Sequence, residues 1–168
     1  MISKQAQTAY VEAVLAMKGI SAVKYGKTAS EMLDVAYFDD DLGRMAVMLN
    51  TGMKKRIATK TGSKSAGPVA FCLDSAVERN LMTQEGDGIY SFSPEYFGTK
   101  HWKTLNEIRI SRIFGKFGSS IRIEARYDDD FEILTESDEV ENVDAEPQET
   151  KEEPKESTRP TTKKATTS

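Results

Sequence analysis

Apolar residues near the start of the chain return at helical spacing. In "KQAQTAYVEAVLAMK", residues 4–18, Ala9, Val11, Val14, Leu15 and Met17 recur close to a helical period. Gly19 is a natural stop for that helix. "SAVKYGKT" reads as a connector. "ASEMLDVAYF" repeats the helical pattern through Met32, Leu33, Val35, Ala36 and Phe38, and the triplet Asp39–Asp41 with Gly43 ends it. "RMAVMLN" is short, apolar and bounded by Gly43 and Asn50, which predicts a strand. Thr51 is placed as the N-cap of "GMKKRIATKT", and Gly62 breaks that helix. In "PVAFCLDSAVERN" the residues Val69, Cys72, Leu73, Ala76 and Val77 share one face, at offsets of three, four, seven and eight. Pro68 suits the first helical turn, where its missing N–H costs nothing.

After Asn80 the period changes to two. "LMTQ" leads through "EGDG" into "IYSFS", which predicts a β-hairpin with its turn at Glu85–Gly88. Pro94 ends the second strand. "KHWKTLNEIRISRIF" reads as a helix with Trp102, Leu105, Ile108 and Ile110 apolar, and "SSIRIEARY" as a final strand. From Asp128 onward Glu, Asp, Lys, Thr and Pro dominate. Such a segment buries too little apolar surface to offset its ordering entropy. The expectation is therefore an α+β domain over residues 1–127 and a disordered acidic tail over 128–168. The order helix, strand, helix, turn, helix, hairpin is that of a winged helix-turn-helix. An extra N-terminal helix precedes it, and a helix and a strand follow the wing.

Charge sharpens this picture. Residues 1–127 hold 18 Lys/Arg against 13 Asp/Glu, and residues 128–168 hold 5 against 14. A basic body beside an acidic end is a weak pointer to nucleic acid. Five cations, Lys54, Lys55, Arg56, Lys60 and Lys64, gather before the second corner, with Ser63 and Ser65 nearby. Such a cluster suits phosphate oxygens, and equally a solvated helix face.

Catalytic chemistry has few candidates. Cys72 is the single cysteine and His101 the single histidine. They are far apart in sequence and form neither a dyad nor a zinc motif. Asp39-Asp40-Asp41 and the "GDG" turn lack calcium-loop spacing. "GKFGSS" lacks the Gly-Lys-Ser/Thr ending of a phosphate loop. Tyr90, Phe92, Tyr96 and Phe97 suit either base stacking or core packing beside Trp102. No run reaches transmembrane length and the first residues lack a signal-peptide core. No enzyme, cofactor or metal is expected, nor a membrane partner, and the expected compartment is the cytoplasm.

One stretch carries a family likeness. "RIATKTGSKSAGPVAFCLDSAVERNLMTQEGDGIYSFSPEYFG" resembles the winged-helix replication initiators of small Gram-positive plasmids and related phage-borne proteins. The matching positions are Ile57-Ala58, Gly62, Val69 with Leu73, Asn80-Leu81, and Ser93-Pro94 to Gly98. The likeness spans about residues 29–98. It departs from the family in an extra residue between Gly62 and Val69, in Gly67-Pro68, and in Ser93 where Asn is usual. Outward positions of the third helix, Ala70, Phe71, Asp74, Ser75 and Glu78, are not the Arg, Lys, Asn and Gln that read bases.

The resemblance implies a DNA-binding protein of a bacterial or phage-infected cell that contacts double-stranded DNA. Lys54, Lys55, Arg56, Lys60 and Lys64 would hold phosphates. Ser63 and Ser65 would add short hydrogen bonds, and Thr83 and Gln84 on the wing would reach neighbouring backbone. It implies a homodimer, with residues 100–125 as the added interface, and contacts with polymerase or replication proteins. Two alternatives stand beside replication initiation. One is a transcription regulator on the same fold, and the other a protein-interaction module.

Overall fold

The computed structural model describes residues 1–139. Among them, five α-helices and two antiparallel sheets form one mixed α+β arrangement. Helix α1 spans Lys4–Met17 and opens on Ser3, whose Oγ accepts from the Ala6 amide at 3.1 Å. Gly19 follows it with φ 71°, a left-handed position that favours glycine. Helix α2, Ala22–Asp34, opens on Ser21. The "SAVKYGKT" connector is thus helical: Ser21 caps it, and Thr28 and Ser30 turn inward to be buried. Gly26 lies where α1 passes, and a Cβ there would strike the Glu12 side chain.

Strands β1 (Tyr37–Asp39) and β2 (Arg44–Met48) form a short hairpin. The Asp39 carboxylate accepts from the Asp41 and Leu42 amides, each at 3.0 Å. The acidic triplet therefore builds this turn rather than ending a helix, since α2 has already stopped at Asp34. Helix α3 covers Thr51–Lys60, and its N-cap is Asn50, not Thr51: Asn50 Oδ1 accepts from the Met53 amide at 2.8 Å. Helix α4 (Gly67–Glu78) follows, then β3 (Met82–Gly86), β4 (Ile89–Phe92) and the short α5 (Pro94–Phe97). The first sheet has the order β1-β2-β4-β3, with Val47 opposite Tyr90 and Thr83 opposite Ser91.

The expected helix over residues 100–114 does not form. A 3₁₀ turn at Trp102–Thr104 leads into strand β5, Leu105–Gly115. Ile108 and Ile110 alternate with Glu107, Arg109 and Ser111, and β-branched side chains fit a pleated half-buried face. Strand β6 (Gly118–Tyr127) pairs with β5 along its length and is not the final strand. Strand β7 (Phe131–Glu139) pairs with β6 and lies inside the segment expected to be a disordered tail. The rest of that tail, 140–168, lies outside the described residues.

The helices and both sheets share one core. Val14, Met32, Val47, Ile57, Val69, Leu73, Leu105 and Ile123 are all buried within it. Trp102 locks the second sheet to the helices. Its ring lies 5.9 Å from Tyr10 and 5.7 Å from Phe97, and its indole N–H donates to Gln7 Oε1 at 2.9 Å. The buried Gln7 amide in turn donates to the Ser30 carbonyl at 3.1 Å and the Asp34 carboxylate at 2.7 Å. This satisfies the buried polar groups where α1, α2 and the Trp102 turn meet.

Candidate nucleic-acid interface

Helix α3 buries Ile57 and Ala58 and turns its other faces outward. At 100° per residue, Lys55, Arg56, Thr59 and Lys60 share one outward side. Lys54 falls on the inward face, between Ile57 and Ala58, and is half-buried. The structure therefore brings Lys55, Arg56 and Lys60 together and sets Lys54 apart from them. Lys60 has a partner already: its Nζ stands 3.7 Å from a Glu31 oxygen, and the other Glu31 oxygen holds Lys4 at 3.1 Å.

The corner between α3 and α4 is tight. Gly62 has φ 77°, and the Ser63 amide donates back to the Ala58 carbonyl at 2.8 Å. Thr61 Oγ1 donates to the Ile57 and Ala58 carbonyls, which closes the last turn of α3. Lys64 and Ser65 are exposed and Ser63 half-buried in this corner. No side chain caps α4: its N-cap is Ala66, with Pro68 in the first turn. Ser65 Oγ sits beside Gly67.

Helix α4 buries Val69, Cys72, Leu73 and Ala76. Phe71, Asp74 and Glu78 are exposed, with Ala70 and Ser75 half-buried. Phe71 is 60% exposed and its ring stacks on Tyr25 of α2 at 5.7 Å. Cys72 is buried, and burial pushes its thiol up to about 12.

Thr83 and Gln84 are exposed on β3. Gln84 Nε2 donates to the Gly86 carbonyl at 3.3 Å, and Ser91 Oγ donates to the Glu85 carboxylate at 2.6 Å. Two carboxylates, Glu85 and Asp87, stand at the hairpin end. Cations thus sit on α3 and its corner, while α4 and the hairpin present acids.

The aromatic candidates divide. Phe92 and Phe97 are buried with rings 5.1 Å apart, so they belong to the core. Tyr90 and Tyr96 are half-buried against that core, with Lys18 Nζ 5.1 Å from the Tyr96 ring.

Sequence reasoning missed one feature. Ile113, Phe114 and Phe117 are exposed at the turn between β5 and β6. Reading residues 100–114 as a helix hid them. The signal was the glycine-bracketed pair in "FGKFG", a tight turn with large apolar residues in it.

No family model, curated protein or solved structure matches the chain. Among the described residues no cluster of His, Cys, Asp and Glu has the make-up of a metal site. None of their helices is long and apolar enough to cross a membrane.

Proposed function

We propose that the chain binds duplex DNA through a winged helix-turn-helix made by α2, β2, α3, α4 and the β3–β4 hairpin. One observation carries this reading. Strand β2 pairs with β4, the returning strand of the hairpin that leaves α4, giving the order β1-β2-β4-β3. That pairing seats the hairpin beside α4, as a wing lies beside a reading helix. The cations of α3 and its corner then supply the sequence-independent contacts. The motif likeness of residues 29–98 to plasmid replication initiators supports the same reading. Replication initiation and promoter regulation share this chemistry, and the position of the bound site in the genome separates them.

Lys55, Arg56 and Lys64 are the exposed cations with which to test it. Replacing all three by Gln should weaken duplex binding and lower the slope of log affinity against log salt by about 0.9 per lost phosphate contact. An unchanged salt titration would sink the reading.

The exposed Phe71, flanked along α4 by Asp74 and Glu78, favours a second reading in which this helix docks on a basic protein. The double change Asp74→Lys, Glu78→Lys distinguishes the two. It tightens duplex binding if α4 enters a groove, because two carboxylates leave the phosphate field. If α4 faces a protein, duplex affinity shifts little.

A further inference from the structure

Among the described residues the two sheets leave four edge strands, β1, β3, β5 and β7. An edge carries unpaired N–H and C=O groups, and folded chains guard it by shortness, bulges or charge. Three of the four are guarded. Strand β1 has three residues. Strand β3 breaks register between Gln84 and Gly86, and its hairpin carries Glu85 and Asp87. Strand β7 holds Glu132, Glu136 and Asp138 and no Lys or Arg, so two copies of it repel.

Strand β5 is guarded only at its start. There the Ile2 amide donates to the Leu105 carbonyl at 2.8 Å, and the Met1 amine to Asn106 Oδ1 at 3.1 Å. A register shift lies between Leu105 and Glu107. From Glu107 to Gly115 the strand pairs with β6 without a break on one side, and with no described strand on the other. That stretch is about 30 Å long. Its charges are mixed: Glu107, Arg109 and Arg112, with Glu107 holding Arg109 at 3.2 Å. Ile113 and Phe114 are 65% and 79% exposed. A long edge of mixed charge with uncovered apolar side chains is a template for another strand.

We propose that the β5 edge pairs with the β5 edge of a second copy of the chain, antiparallel about a two-fold axis at Ser111. The two three-stranded sheets then join into one.

The strand's own sequence selects this register. A two-fold contact sets residue i against j and j against i. An axis at Arg109 or Arg112 puts two guanidiniums directly opposite each other, which is unfavourable. An axis at Ile108 or Ile110 brings Asn106 into the pairing, where residues 1 and 2 already sit. An axis at Ser111 pairs the whole free stretch with itself. Ile108 then faces Phe114, Arg109 faces Ile113, Ile110 faces Arg112, and Glu107 faces Gly115. No charge faces a like charge directly. Phe114 gains an apolar neighbour, and Ile113 gains the aliphatic stem of Arg109. The Arg112 guanidinium lies 5.7 Å from its own Phe114 ring, which draws it away from the axis and from its symmetry mate. The stretch is thus its own complement, which commits the edge to a second copy. A contact one strand long is smaller than that of a tight complex, so the dimer dissociates in the micromolar range.

Sedimentation of the full chain across a concentration series tests this, together with two cysteine variants. The wild-type chain should pass from monomer to dimer as concentration rises. Mates of residue 111 stand about 5 Å apart at Cα, within disulfide reach. Ser111→Cys should therefore give a covalent dimer under mild oxidation. Ile113→Cys should not under the same conditions, because its mate lies about 13 Å along the partner strand. The variant Ile113→Lys, Phe114→Lys should stay monomeric where the wild type is dimeric, and melt like the wild type as a monomer, since both side chains are exposed. A wild-type chain that stays monomeric at high concentration overturns the proposal. So does a dimer that survives the double Lys change, or crosslinking through residue 113 as readily as through 111. No readout uses DNA, so the outcome is independent of the DNA-binding reading.

Discussion

Three buried acids show at the level of single residues how the core depends on pH. Burial raises the Cys72 thiol from 9.0 to about 12. Burial also raises the hydroxyls of Tyr10 and Tyr127, the latter helped by Glu132. Tyr10 donates its hydroxyl proton to the Tyr96 carbonyl at 2.5 Å, a bond the phenolate would lose. A group with a raised pKa in the folded chain contributes stability that is whole below its unfolded value. That stability is lost as pH rises through the folded value. The unfolding free energy from urea titrations should therefore stay level between pH 8 and 9 and fall above 9, by up to about 1.4 kcal/mol per pH unit for each ionising group. Cys72→Val should move the onset toward 10, where the tyrosines take over. A midpoint level to pH 11 would refute this. The burial of Cys72 was legible in the sequence, because Val69, Cys72, Leu73 and Ala76 keep helical phase. The inward position of Lys54 and the tie from Lys60 to Glu31 were not. The first depends on the phase of α3 against its core and the second on α2 packing beside it, and composition reports neither.

Among the elements, two of the corners that glycine makes possible differ in what surrounds them. Gly62, with φ 77°, has open space where a Cβ would stand. Gly98, with φ 75°, has the Tyr127 hydroxyl and Leu134 Cδ2 there, at the join of α5 to the second sheet. Gly62→Ala should cost about 1 kcal/mol, the backbone strain alone. Gly98→Ala should cost clearly more, because the strain adds to a collision with a packed side chain. Chemical denaturation of the two variants checks the ranking, and equal losses would contradict it. Helices α1, α3 and α4 and the β3–β4 hairpin were readable because their periods are clean, whereas the first half of α2 was read as a connector and β1 as the end of a helix. The β5 strand was misread because Trp102, Leu105 and Ile108 happen to fall three apart. The alternation of Ile108 and Ile110 with charged residues was the better guide, and the pairing with β6 decided it. Such pairing is a non-local fact, and local periodicity does not carry it.

For the whole molecule, the acidic end of the chain is not where composition placed it. Residues 128–139 hold seven Asp/Glu and no Lys/Arg, whereas residues 140–168 hold seven against five. Most of the excess negative charge therefore belongs to β7 and the turn before it. That strand is structural: Thr135 Oγ1 donates to the Glu95 carbonyl, Thr99 Oγ1 to Glu132 at 2.9 Å, and Lys100 pairs with Asp130 at 2.6 Å. Two truncations follow from this division. Removing residues 140–168 takes away a net charge of only −2, so duplex affinity should change by less than about threefold at moderate salt, where Debye screening limits distant charge. Removing residues 128–168 takes away a net charge of −9. It also strips β7 from β6, uncovers the face that holds Ile123 and Leu134's contacts, and leaves β6 as a bare edge. The shorter chain should melt at a lower temperature and associate at high concentration, and its DNA affinity should be read only where it is still folded. If the cut at 140 tightened duplex binding well beyond threefold, the residues after β7 would oppose DNA more strongly than their net charge of −2 allows, and this expectation would be wrong.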